Sequence, residues 1–143
     1  MSERRYMPEV ADDLPPGERP MVAVVRAIPG HEDELAAAIA TLTAAVRREP
    51  GCVEFRSFRD AAQPGVFHLY EIYADTEAFR AHLATGHVAH FFTELAQHST
   101  ADAGALVQLV ELPGRELSGK SPEPEYGLTT VDRMATGAKP AAF

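Results

Sequence analysis

The sequence predicts an α+β domain of ferredoxin-like type, β-α-β-β-α-β, with a four-stranded antiparallel sheet that pairs with a second copy as a dimeric α/β barrel. Three observations carry that prediction. Short β-branched or alternating runs recur at residues 21–28, 52–59, 66–73 and 105–112. Two longer stretches between them show helical spacing of apolar residues. Pro-Gly pairs at 29–30, 50–51, 64–65 and 113–114 mark the ends of elements.

The first strand, MVAVVRAI, is continuously apolar enough to read as buried on both faces or nearly so. Residues 31–49 follow as a helix, with Leu35, Ile39, Leu42 and Val46 on one face. Its first turn is acidic (Glu32, Asp33, Glu34) and its last basic (Arg47, Arg48), which complements the helix dipole. The second strand alternates, with Val53, Phe55 and Ser57 on one side and Glu54, Arg56 and Phe58 on the other. A turn through Pro64-Gly65 returns the chain as an antiparallel hairpin into the third strand. Asp75 suits the N-cap of the next helix, which is interrupted at Thr85-Gly86 and resumes to about His98. A last strand, ALVQLVEL, closes the order. Two crossover helices on four strands leave few topologies besides the split β-α-β arrangement. Both helices then cover one sheet face. Phe58, Tyr70 and Ile72 would lie bare on the other, which predicts a homodimer.

Composition narrows the functional classes. The chain has 143 residues, 45% hydrophobic and 24% charged, enough for one domain with a sizeable core. Domain limits are expected at 1–20 for an N-terminal extension holding four of the eleven prolines, 21–113 for the folded domain, and 114–143 for a tail that is disordered or docks on a second copy. Residues 21–113 carry twelve acidic residues against six arginines and no lysine. Such a surface repels phosphate backbones and anionic lipid, so neither nucleic acid nor a membrane is an expected partner. No apolar run approaches the ~20 residues of a spanning helix. One cysteine, Cys52, precludes an internal disulfide and fits a reducing, cytoplasmic setting.

The chemistry-bearing groups concentrate in residues 66–92. Strand alternation puts Phe67, Leu69, Glu71 and Tyr73 on the helix-facing side, so Glu71 is a carboxylate inside the core. Desolvation there raises a carboxyl pKa unless a cation or donor compensates, and His82 or His87 is the candidate partner. A buried ion pair with no chemistry is the plainer alternative. His90 points further round its helix and reads as solvated. A metal site is not expected: His82 and His87 are five apart, which on a continuous helix sets them on different sides, whereas helical metal pairs use three or four. Cys52 reads as a small buried hydrophobe. No phosphate loop or nucleophile elbow is present.

The stretches IPGHEDEL, REPGCVEFRSFRD, PGVFHLYEIYAD and EAFRAHLATGHVAHF together resemble the antibiotic biosynthesis monooxygenase family. The resemblance implies a ferredoxin-like dimer and a monooxygenase that needs no cofactor, in which a quinol or phenol, once deprotonated, itself reacts with O2. It further implies catalytic roles for Glu71, His82 and His87. Phe55 and Tyr73 match the family's cavity aromatics, and Phe91 and Arg26 complete the expected substrate-binding set. Tyr73 stands where many members carry tryptophan, and the first strand offers Arg26 rather than asparagine, which argues against haem. The alternatives are a small-ligand-binding or stress-response dimer without turnover, and an isomerase of a small oxygenated metabolite.

Overall fold

The computed structural model describes residues 10, 13–100 and 105–117. The described residues up to Glu111 form one compact unit, which holds every helix and strand found among the described residues. Apart from 114–117, the tail expected at 114–143 lies outside the described residues. In chain order the elements are β1 (Arg19–Arg26), α1 (Glu32–Val46), β2 (Cys52–Arg59), β3 (Val66–Tyr73), α2 (Thr76–Leu83), α3 (Gly86–His98) and β4 (Ala105–Gln108). The sheet order is β2-β3-β1-β4, with every pairing antiparallel. This is the expected ferredoxin-like fold.

Several boundaries differ from expectation, each for a local reason. β1 begins at Arg19, inside the span read as an extension, because Arg19 and Pro20 already pair with Tyr73 and Ile72. The Arg19 guanidinium is buried there, donating to Thr76 Oγ1 at 2.9 Å and to the Pro15 carbonyl. β1 is also not buried on both faces. Met21, Ala23 and Val25 are buried while Pro20, Val22 and Val24 between them are half-exposed, so only one face meets the helices. β4 is shorter than the apolar run suggests. Leu109 still donates to the Pro20 carbonyl at 2.8 Å, but proline has no N–H to return and the ladder ends there.

α1 stops at Val46, three residues before the predicted end, so Arg47 is its C-cap and its last turn holds no basic residue. Its apolar face is as predicted: Leu35, Ile39, Leu42 and Val46 are all buried. A tight turn then carries 47–51 into β2, with Arg48 N–H on Ala45 O and Glu49 N–H on Val46 O. At the start of β2 the register slips between Cys52 and Glu54, so that Cys52 opposes Tyr73 and Glu54 opposes Ile72. The bulge ejects Val53, which is 51% exposed, although simple alternation puts it inward with Phe55. β3 alternates cleanly, with Phe67, Leu69, Glu71 and Tyr73 inward.

The second helical stretch divides in two. α2 is capped by Asp75, whose side chain accepts from the Ala78 N–H at 2.8 Å. It ends at Leu83. Thr85 then caps α3, accepting from the Val88 N–H at 3.3 Å while its hydroxyl donates to the His82 carbonyl at 2.8 Å. One threonine thus ends α2 and starts α3, and the helix axis changes direction between His82 and His87. The core lies between the inward sheet face and the three helices.

Candidate active site

Glu71 lies at the centre of the inward sheet face, opposite Met21 on β1 and Phe55 on β2. It is 5% exposed. Its sequence-predicted partners, His82 and His87, are not its partners. The Tyr73 hydroxyl, two residues along the same strand face, donates to Glu71 Oε1 at 2.8 Å. Burial pushes the Glu71 carboxyl up to about 7; the Tyr73 hydroxyl pulls it back down, and the Glu49 carboxylate adds to the rise. The Tyr73 phenol is held far above its usual range, by burial first and then by the adjoining Glu71.

His82 and His87 converge instead on Glu49. His82 Nδ1 is 3.0 Å from Glu49 Oε2 and 3.2 Å from Oε1, and His87 Nε2 is 2.5 Å from Oε2. Local structure explains the convergence. Gly51 lies so close to α2 that a Cβ there would fall 2.4 Å from the Ala78 Cβ. The Gly51 carbonyl also accepts from the Ala74 N–H at 2.8 Å. That close approach seats the turn after α1 against α2, and His82 lies one helical turn beyond Ala78. The break at Ala84–Thr85 then swings His87 back to the same carboxylate. The five-residue spacing that separates the two histidines on a continuous helix does not separate them here. Among the described residues, Glu49, His82 and His87 each bring one donor atom within 4.8 Å of the other two, a convergence that their spacing on a continuous helix would not give.

The side chains of His82, Glu49 and His87 are 7%, 10% and 28% exposed. Exposure therefore rises from His82 toward His87. Burial lowers the His82 pKa, partly offset by Glu49 and reinforced by His87. The neutral imidazole is favoured. With the Glu49 carboxylate accepting, His82 is fixed as its Nδ1–H tautomer, leaving the Nε2 lone pair free.

Glu71 and His82 border one cavity of about 70 Å³ under α2 and α3. Its walls are otherwise apolar, chiefly Phe55, Leu69, Phe79, Val88, Phe91 and Leu106. Of the residues expected to contact substrate, Phe55 and Phe91 line this cavity. Tyr73 stands behind Glu71, with its ring 4.7 Å from that of His82. Arg26 does not join them. It is exposed at the far end of β1, opposite Val66, and its parity directs it to the outer sheet face. His90 is 66% exposed. Cys52 is half-buried against the core, and burial pushes its thiol up, as suits an unreactive small side chain.

Glu49 is the one group at this site that the sequence did not single out. It sits among charged residues at a helix end, where solvation is the ordinary reading. The available signal was its place directly before the Pro50-Gly51 turn.

Solved structures with this fold include a protein from Pseudomonas aeruginosa, 23% identical over 74% of this chain and 100% of that one, with a TM-score of 0.64. A protein from Mycobacterium tuberculosis is 20% identical over 69% of this chain and 99% of that one, with a TM-score of 0.63. An antibiotic biosynthesis monooxygenase is 25% identical over 66% of this chain and 99% of that one, also with a TM-score of 0.63. No curated protein sequence matches significantly. The family model for antibiotic biosynthesis monooxygenase matches residues 21–94, more than half of the chain, from within β1 into α3. The chain belongs to the antibiotic biosynthesis monooxygenase family.

Proposed function

We propose that this protein is a monooxygenase that oxidises a small quinol or phenol with O2, the substrate supplying the electrons. The observation that carries the reading is the Glu49-held His82 facing the same apolar cavity as a buried Glu71. His82 Nε2 takes the phenolic proton, as a histidine does when a carboxylate fixes its other nitrogen. Glu71 in its neutral form donates a hydrogen bond from the oxygen that Tyr73 leaves free, stabilising charge on the substrate oxygen. Phe55 and Phe91 exclude water and hold the ring. For a simple hydroquinone the balance is quinol plus O2 giving hydroxyquinone plus water. One oxygen atom enters the ring and the other leaves reduced.

Cavity size supports a one-ring substrate. The cavity is small, about 70 Å³, with Leu83 and Phe92 in its wall, which favours a single ring over a fused polycycle. The test is O2 uptake with a panel of hydroquinones and catechols. His82→Ala should lower the rate by about 10²-fold or more, the usual contribution of a positioned base. Wild-type protein that is folded yet inert toward the whole panel would overturn the reading. Turnover without O2 consumption would move it to an isomerase.

We propose further that the working unit is a homodimer, formed across the outer sheet face. Val22, Val24, Tyr70 and Ile72 are half-exposed on that face, beside Phe58 at 44% and Val107 at 54% exposure.

A further inference from the structure

We propose that Glu49, His82 and His87 form a binding site for one divalent transition-metal ion of the zinc class. Three separate segments contribute: the turn after α1, the last turn of α2 and the first turn of α3. One donor atom from each lies within 4.8 Å of the other two. Two imidazole nitrogens and a carboxylate oxygen are ligands for Zn²⁺ and its first-row neighbours, whereas Ca²⁺ and Mg²⁺ prefer all-oxygen shells. Three protein ligands also leave a coordination position for water.

The hydrogen-bonded arrangement and the metal-bound one use the same lone pairs. In the first, Glu49 accepts an N–H from each imidazole. In the second, the ion replaces both protons, and each ring carries its hydrogen on the other nitrogen. His82 changes from the Nδ1–H to the Nε2–H tautomer and His87 from Nε2–H to Nδ1–H, so both rings stay neutral. Bonds of about 2.05 Å at tetrahedral angles set ligand atoms about 3.3 Å apart. The Glu49–His82 pair at 3.0 Å is already close to that, and the Glu49–His87 pair at 2.5 Å must open. His87, at 28% exposure, is the side from which an ion enters.

Occupancy has a consequence for the reaction, one that rests on the function proposed above. An ion on Nδ1 places the ring hydrogen on Nε2, which removes the lone pair that takes the substrate proton. The bound ion therefore inhibits.

The test uses the untagged full-length chain, stripped with chelator and titrated with Zn²⁺ by calorimetry, with elemental analysis after dialysis. One Zn²⁺ per chain is expected, with a rise in melting temperature. His87→Ala and Glu49→Gln should each weaken binding by about tenfold or more. His31→Ala should leave it unchanged, although His31 and His98 approach to 3.0 Å elsewhere on the surface. His87→Gln, at the most exposed ligand, serves as a second variant if a melt shows that either substitution unfolds the chain. Absence of Zn²⁺ uptake, or uptake equal in all variants, would overturn the proposal. No substrate enters this measurement, so Zn²⁺ binding by a protein inert to quinols would sink the oxygenase reading and leave the metal site standing.

Discussion

Glu71 is the residue at which the fold and the proposed chemistry pull hardest against each other. Its carboxyl has an ordinary pKa near 4.5 when the chain is unfolded and about 7 in the core. Between those values the folded state binds more protons than the unfolded one, so stability falls as pH rises through that window and is flat outside it. A difference of that size corresponds to about 3 kcal/mol, a large fraction of the roughly 5–15 kcal/mol that holds a domain folded. Glu71→Gln keeps an amide oxygen for the Tyr73 hydroxyl and cannot ionise. In denaturant titrations the variant should gain on wild type by up to about 3 kcal/mol between pH 4.5 and 8. A constant difference across that range would show that Glu71 is not held neutral. Strand alternation alone placed Glu71 inward, because a period of two leaves no choice once Leu69 and Tyr73 face the core. Glu49 was not legible in that way. Its burial depends on a contact between Gly51 and Ala78, residues far apart in sequence that no local pattern links.

That contact belongs to the scale of elements, where the turn after α1 meets α2. A Cβ at position 51 falls 2.4 Å from the Ala78 Cβ, and neither atom is the end of a flexible chain. Gly51→Ala should therefore cost about 1–3 kcal/mol, the usual penalty for overpacking. It should also draw Glu49 away from His82. Ala78→Gly in the same chain should return part of the loss, less the ~1 kcal/mol that glycine costs inside a helix. Additive losses in the double variant would mean that the two residues do not meet. The types and order of the elements were readable from periodicity, whereas their joints were not. The Val53 bulge inverts one side chain that alternation placed inward, because register is decided by pairing with β3 rather than by β2 itself. The Thr85 cap bends a stretch that reads as a weakly interrupted helix, and that bend is what makes a five-residue histidine spacing convergent. Both departures sit beside the candidate site.

At the scale of the whole fold, the decisive feature is a sheet that, among the described residues, has helices on one side only. The outer face has Val22 at its middle, opposite Tyr70 on β3 and Val107 on β4, with Ile72, Val24 and Phe58 around it. A contiguous apolar patch of this kind costs a lone chain solubility and favours burial against an equal patch. A two-fold arrangement is sufficient, since each copy offers the same surface. The wild-type protein should therefore sediment at twice its 15.5 kDa chain mass at micromolar concentration. Val22→Arg, which sets a charge at the patch centre while leaving the inward face untouched, should give a folded monomer by sedimentation and circular dichroism. Wild type running as a monomer would remove the dimer outright. A dimer unmoved by Val22→Arg would place the interface elsewhere. Because Val22 lies next to Met21, which opposes Glu71 across the β1–β3 ladder, loss of the dimer should also loosen the strand that holds Glu71. Its signature would be faster hydrogen exchange at the amides of β1 and β3 in the monomeric variant, measured against those of α1 as the internal reference.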